Sequence, residues 1–299
     1  APVRIGVLGP LEVGGGAATL PTRSKERSVL AFLALRAGRP ASVADLLDAL
    51  WGDDPPATAV RSLQECVAGV RAALGREAVV ATADGYRLTV AADDVDVVRF
   101  EQGLDSASAL WSEGRIVECV AVLDDAMGLW RAAPWPELSE SAEARAEAAR
   151  LRARRDTALE DRLAARLALG DHDWAVAEAE RLVADAPSSE RRWTLLALAL
   201  HSADRQADAL HACRRARATL SAELRAGDEL GAVEAGVAGQ EPDLVARTLG
   251  IEAGAAATRG IGRVSDLPSG TVTFVLTDIE DSTALWDRAP GDMATALRR

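Results

Sequence analysis

The chain has 299 residues, 48% hydrophobic and 27% charged, a balance that fits a globular chain of about two domains. Its formal net charge of −12 on its face speaks against nucleic-acid binding, which makes the distribution of that charge matter. Its longest apolar runs, such as 194–200, fall well short of the roughly 20 residues of a transmembrane helix, so no membrane partner and a cytoplasmic location are expected. Three scattered cysteines, Cys66, Cys119 and Cys213, make neither a disulfide framework nor a zinc knuckle and read as core or semi-exposed free thiols.

Along the chain the texture changes three times. The first 92 residues mix β-patterned runs with helices: RIGVLGPLEV, a Gly14-Gly15-Gly16 turn, the helical stretch SKERSVLAFLALRAG, a second helix VADLLDALWG, a third from Ala57 to Leu74, and VVATADGYRLTV. In the third helix Val60, Leu63, Val67, Val70 and Leu74 share one face, which is expected to pack. Arg61, Ser62, Gln64, Glu65, Ala68, Gly69, Arg71 and Ala72 then lie on the other. In the last segment two apolar runs meet at Asp84-Gly85, where glycine at positive φ predicts a tight hairpin turn. Three helices and a hairpin are the order of a winged helix, which sets its third helix in the major groove and its hairpin on the backbone beside it.

Residues 93–250 read as almost purely helical, with apolar positions at three and four spacing and breaks at Gly114, Pro134, Gly170, Pro187 and Gly227. The acidity concentrates here: residues 101–250 carry 27 acidic against 18 basic side chains, whereas the first 100 are close to neutral. Ala175 and Ala209 hold equivalent places 34 positions apart, the tetratricopeptide period, and small residues there would let paired helices pack closely. From Ser141 to Gly170 one long helix is expected, with Leu151, Leu159, Leu163 and Leu167 inward. Trp111, Trp130, Trp174 and Trp193 are expected in the core, and His172, His201 and His211 have no ligand spacing. Residues 251–269 have linker composition, and residues 270–299 begin with a strand pattern, SGTVTFVLTDIEDST.

The segments LGPLEV, KER leading into the leucine-rich helix, AGRPASVADLLDALWGDDPP, VRAALG and GYRL together resemble the OmpR-like winged helix of Streptomyces antibiotic regulatory proteins. DVVRFEQGL, ECVAVLDDAMGLWR and ALHACRRARATLSAEL look like the bacterial transcriptional activator domain that follows it in that family. The resemblance implies a transcriptional activator that binds direct repeats in double-stranded promoter DNA as side-by-side protomers or a homodimer, and touches RNA polymerase and its sigma factor. Carried over by position, Arg61, Ser62, Gln64 and Arg71 would meet the groove and its flanking phosphates. Arg87 in the wing and Lys25 or Arg27 at the first helix would touch backbone. Arginine and lysine neutralise phosphate, and the Gln64 amide matches an adenine edge. The chain departs from the family's basic third-helix run, with Ala68-Gly69-Val70-Arg71-Ala72 in its place and Glu65 facing the presumed groove.

The C-terminal TDIEDST resembles the first metal-binding segment of class III nucleotide cyclases, which implies Asp278 and the Ile279 carbonyl as magnesium contacts in a complete cyclase domain. That chemistry needs a second carboxylate strand and residues from a partner protomer. None follows Asp278 in this sequence, so no enzyme activity and no cofactor are expected of the chain itself. The expected fold is therefore mainly α: an OmpR-like winged helix with small β-sheets over 1–92, a tetratricopeptide-like all-α domain over 93–250, a linker over 251–269 and a short strand-and-helix fragment over 270–299. Two alternatives stay open: the regulatory part of a nucleotide cyclase signalling protein, and a protein-interaction module with weak or lost DNA binding.

Overall fold

A hydrophobic helix sits at the centre of the N-terminal third. In the computed structural model, which describes residues 2–52, 54–220 and 228–251, α1 (Ser24–Leu35) buries every residue from Val29 to Leu35. The run VLAFLAL is apolar all round, so no face of this helix suits water. The strands β1 (Arg4–Gly6) and β2 (Glu12–Gly14) pair antiparallel ahead of it, and Gly15 and Gly16 turn the chain at positive φ. The helix α2 (Val43–Trp51) starts at a reciprocal cap: Asp45 N–H donates to Ser42 Oγ at 3.0 Å, and Ser42 N–H to the Asp45 carboxylate at 3.1 Å. The third helix, α3 (Ala59–Leu74), ends at Gly75. The strands β3 (Ala41–Ser42), β4 (Val79–Ala81) and β5 (Gly85–Leu88) form an antiparallel sheet in the order β3-β5-β4.

Two expectations need correction here. The buried stripe of α3 is Ala59, Leu63, Val67, Val70 and Leu74, while Val60 is 50% exposed. Near the helix start the packed position falls one residue earlier, because Ala59 lies a full four residues before Leu63 on the buried stripe. The wing does not turn tightly at Asp84-Gly85. Gly85 already belongs to β5, opposite Ser42, and has no positive φ; Thr82 N–H closes the turn on the Gly85 carbonyl at 2.9 Å. Glycine is required for a different reason: a Cβ there would lie 2.0 Å from the Ala41 carbonyl oxygen.

The second part is helical. The helices α4 (Asp96–Ser112) and α5 (Ile116–Gly128) pair and lead to the long α6 (Ala142–Ala168). Next come α7 (His172–Asp185) with α8 (Glu190–Ser202), α9 (Gln206–Leu220) with α10 (Asp228–Ala238), and the short α11 (Leu244–Leu249). As expected, α6 is continuous and buries Leu151, Leu159, Leu163 and Leu167, and Ala175 and Ala209 are fully buried at matching positions. Among the four tryptophans only Trp193 is fully buried; Trp111, Trp130 and Trp174 are half-buried. Arginines cover two of these rings: Arg155 lies 5.0 Å from Trp130, and Arg162 and Arg166 lie 5.2 and 4.6 Å from Trp174. An arginine plane satisfies an aromatic face without full burial.

The two parts share one hydrophobic core. Ile5, Phe32 and Leu63 of the first belong to the same cluster as Phe100, Trp135, Leu138 and Leu151 of the second. Polar contacts stitch the seam. The Asp96 carboxylate, 5% exposed, accepts Val7 N–H at 2.8 Å and Leu8 N–H at 3.1 Å, and pairs with Arg131 at 3.1 Å. Burial pushes its pKa up, against the pull of these three donors. Glu137 accepts Leu11 N–H at 2.7 Å, and Arg36 at the end of α1 pairs with Glu143 of α6 at 2.8 Å. The described residues all lie in the unit formed by residues 1–256. Asp278 and Ile279, with the linker and the cyclase-like fragment, lie outside the described residues.

Candidate nucleic-acid interface

The outward side of α3 is set by its inward one. With Leu63, Val67, Val70 and Leu74 packed, Arg61, Gln64, Glu65, Ala68 and Ala72 are exposed. The Arg61 side chain is 81% exposed and pairs with Glu65 one turn on, at 3.3 Å. Glu65 therefore neutralises the helix's leading cation. Ser62 is half-buried, and its backbone N–H donates to the Thr58 carbonyl. Gly69, placed by sequence on the outer face, instead lies where α1 meets α3: a Cβ there would be 2.4 Å from a carboxylate oxygen of buried Glu26.

Arg71 joins the helix to the wing. Its Nε donates to the Val79 carbonyl of β4 at 2.7 Å, and its guanidinium lies 6.0 Å from the Tyr86 ring of β5. The Nη groups have no acceptor among the described residues. Arg87 follows Tyr86 on β5, exposed and without an ion-pair partner within 4 Å among the described residues. The structure thus brings Arg71 and the wing together on one rigid piece.

The two α1 cations are more committed. Lys25 Nζ donates to the Leu50 carbonyl at the end of α2 and sits 4.7 Å from the Trp51 ring. Arg27 Nη1 donates to the Thr22 carbonyl at 2.9 Å and braces the loop before α1. Both side chains hold the helices in place, whatever else they touch. Arg76, not singled out in the sequence, is exposed in the 3₁₀ turn after α3, with no ion pair within 4 Å among the described residues. Its position directly after the helix-ending Gly75 was the available signal. Burial pushes the Cys119 and Cys213 thiols up to about 11, which leaves them inert packing groups.

Comparison with known proteins places this arrangement. Residues 17–88 match the transcriptional regulatory protein C-terminal domain family, and residues 95–237 match the bacterial transcriptional activator domain. The transcriptional regulator RedD of Streptomyces coelicolor is 35% identical over 235 residues, covering 74% of this chain and 66% of RedD. The regulatory protein DnrI of Streptomyces peucetius is 32% identical over 234 residues, covering 74% of this chain and 86% of DnrI. In solved structures, Mycobacterium tuberculosis EmbR in complex with a low-affinity phosphopeptide matches with a TM-score of 0.75 and 29% identity, over 83% of this chain and 68% of that one. The chain spans just under two thirds of RedD and 22% of the regulatory protein AfsR of Streptomyces coelicolor. A winged helix fused to a tetratricopeptide-like helical domain, matched in order by both family domains and by these regulators, identifies the chain as a member of the Streptomyces antibiotic regulatory protein family of transcriptional regulators.

Proposed function

We infer that the chain activates transcription by binding direct repeats in promoter DNA with side-by-side protomers, and that the helical part meets RNA polymerase and its sigma factor. What carries this reading is the exposed face of α3, with Arg61 and Gln64 on successive turns beside the Arg87 wing, held at a fixed angle by Arg71. In this role Gln64 reads an adenine edge, Ser62 and Arg61 flank it, and Arg87 and the free Nη groups of Arg71 neutralise phosphate. Lys25 and Arg27 add backbone contacts only as far as their intramolecular partners leave donors free. Three or four phosphate contacts give weak binding per protomer at physiological salt, so tandem sites supply the affinity. The stacked pairs α4–α5, α7–α8 and α9–α10 offer the helical surface that a polymerase subunit would need.

The test is fluorescence anisotropy on direct-repeat promoter DNA across a salt series. Binding should weaken steeply with salt. Arg61→Ala should lower the slope of log K against log salt by about 1, and Gln64→Ala should cost about 1–3 kcal/mol on the preferred sequence alone. Salt-insensitive binding, or binding unchanged by both substitutions, would sink the assignment of α3 as the reading helix.

A further inference from the structure

A small cavity of about 240 Å³ lies where the segment after α5 meets α6, lined by Trp130, Arg131, Ala132, Ala133, Arg152 and Arg155. No carboxylate lines it, although acidic residues outnumber basic ones by 46 to 34 in this chain. Most arginines of α6 are spoken for: Arg150 and Arg154 pair with Glu101, Arg162 with Glu178, and Arg166 with Asp124. Arg152 and Arg155 meet no carboxylate within 4 Å among the described residues. Arg155 has its Nε buried without an acceptor, and so does the Trp130 indole Nε1. Both N–H groups are sealed behind the stacked Arg155–Trp130 pair, so the donors left to the cavity are the outer guanidinium nitrogens of Arg152 and Arg155, which have no counter-charge there.

We propose that this cavity is a binding site for a small phosphate-class oxyanion, held by the guanidinium groups of Arg152 and Arg155. The chemistry matches: guanidinium forks bind tetrahedral oxyanions through paired, charge-assisted hydrogen bonds and can accept nothing themselves. The size selects against a whole nucleotide, since drug-sized ligands need roughly 300–1,000 Å³. The Trp130 ring is also occupied, with Arg155 over it at 5.0 Å and Phe100 packed edge-on at 5.4 Å, so it is not free to stack a base. Arg131 links the site to the seam. Its side chain pairs with Asp96 and Glu12, and its backbone N–H donates to the Leu8 carbonyl at 2.8 Å. An anion here therefore bears on the contact between the winged helix and the helical part.

The purified chain, exchanged into chloride buffer, would be titrated by calorimetry with inorganic phosphate, pyrophosphate and glycerol phosphate, at ionic strength matched with sodium chloride. A saturable heat and a rise in Tm are expected from the phosphate compounds and not from chloride. The relative affinities of inorganic phosphate and glycerol phosphate distinguish a free anion from a phosphomonoester. Affinity should fall by about tenfold or more in Arg155→Gln and in Arg152→Gln. Arg155 packs on Trp130 and its loss could disturb the fold, whereas Arg152 is exposed, so Arg152→Gln keeps the test decisive. A response equal to that of chloride, or undiminished binding by Arg152→Gln, overturns the site. So does an Arg152→Gln variant that loses DNA affinity when the parent chain shows no small-anion response.

Discussion

At Gly85 the residue type is dictated by a neighbour and not by its own dihedral. A methyl group would sit 2.0 Å from the Ala41 carbonyl oxygen, a backbone atom that cannot swing aside. Gly85→Ala should therefore separate β5 from β3 and cost about 1–3 kcal/mol in urea unfolding, the usual scale of overpacking. The reduced freedom of the unfolded chain would by itself predict the opposite sign. The Asp84-Gly85 pair was visible in the sequence as a wing signal, and the wing is there. The reason for the glycine was not visible, because it depends on a strand 44 positions earlier in the chain. Gly69 teaches the same lesson: its place against Glu26 was hidden in a pattern that put it on the outer face. Arg61 and Gln64, by contrast, were legible, since helical periodicity alone turns them outward.

Taken as an element, α3 is useful only if its angle to the wing is fixed. Arg71 supplies that link through Nε to Val79 and its position over Tyr86. Arg71→Lys keeps the positive charge and removes the fork. If the link matters, Arg71→Lys and Arg71→Ala should lower stability alike, by about 1 kcal/mol, and both should weaken DNA binding. If Arg71 acts only as a phosphate contact, lysine should keep most of the affinity; paired unfolding and anisotropy measurements separate the two. The helices themselves were readable because amphipathic spacing and capping residues act locally, as at Ser42-Asp45. The one-residue shift from Val60 to Ala59 at the packed end of α3 was not, since three and four spacings from Leu63 fit the sequence equally well and only burial distinguishes them.

For the molecule as a whole, the shared core predicts cooperative behaviour. Residues 1–92 alone would expose Ile5, Phe32 and Leu63 where Phe100, Trp135, Leu138 and Leu151 now cover them. The full chain should unfold with its winged helix and helical part in one transition, coincident by circular dichroism and by tryptophan fluorescence, and a 1–92 fragment should lose that sharp transition. Asp96→Ala should cost about 2–4 kcal/mol, because it strands the buried N–H groups of Val7 and Leu8 together with Arg131. Two separate transitions in the intact chain would show that the seam contributes little.

Composition and periodicity were sufficient for the mainly helical class, the winged-helix order and the long α6, and resemblance of short motifs to known sequences for the family, because each depends on residues close in sequence. What only the tertiary structure decided are the contacts between distant segments. Asp96 anchors the first strand's loop, and arginines of α6 cover tryptophans outside it. Lys25 is tied to the end of α2, while Arg152 and Arg155 are left facing a cavity without a counter-charge. A charge written in a sequence has no partner until the chain folds, and whether it binds its own fold or something else is settled by that geometry.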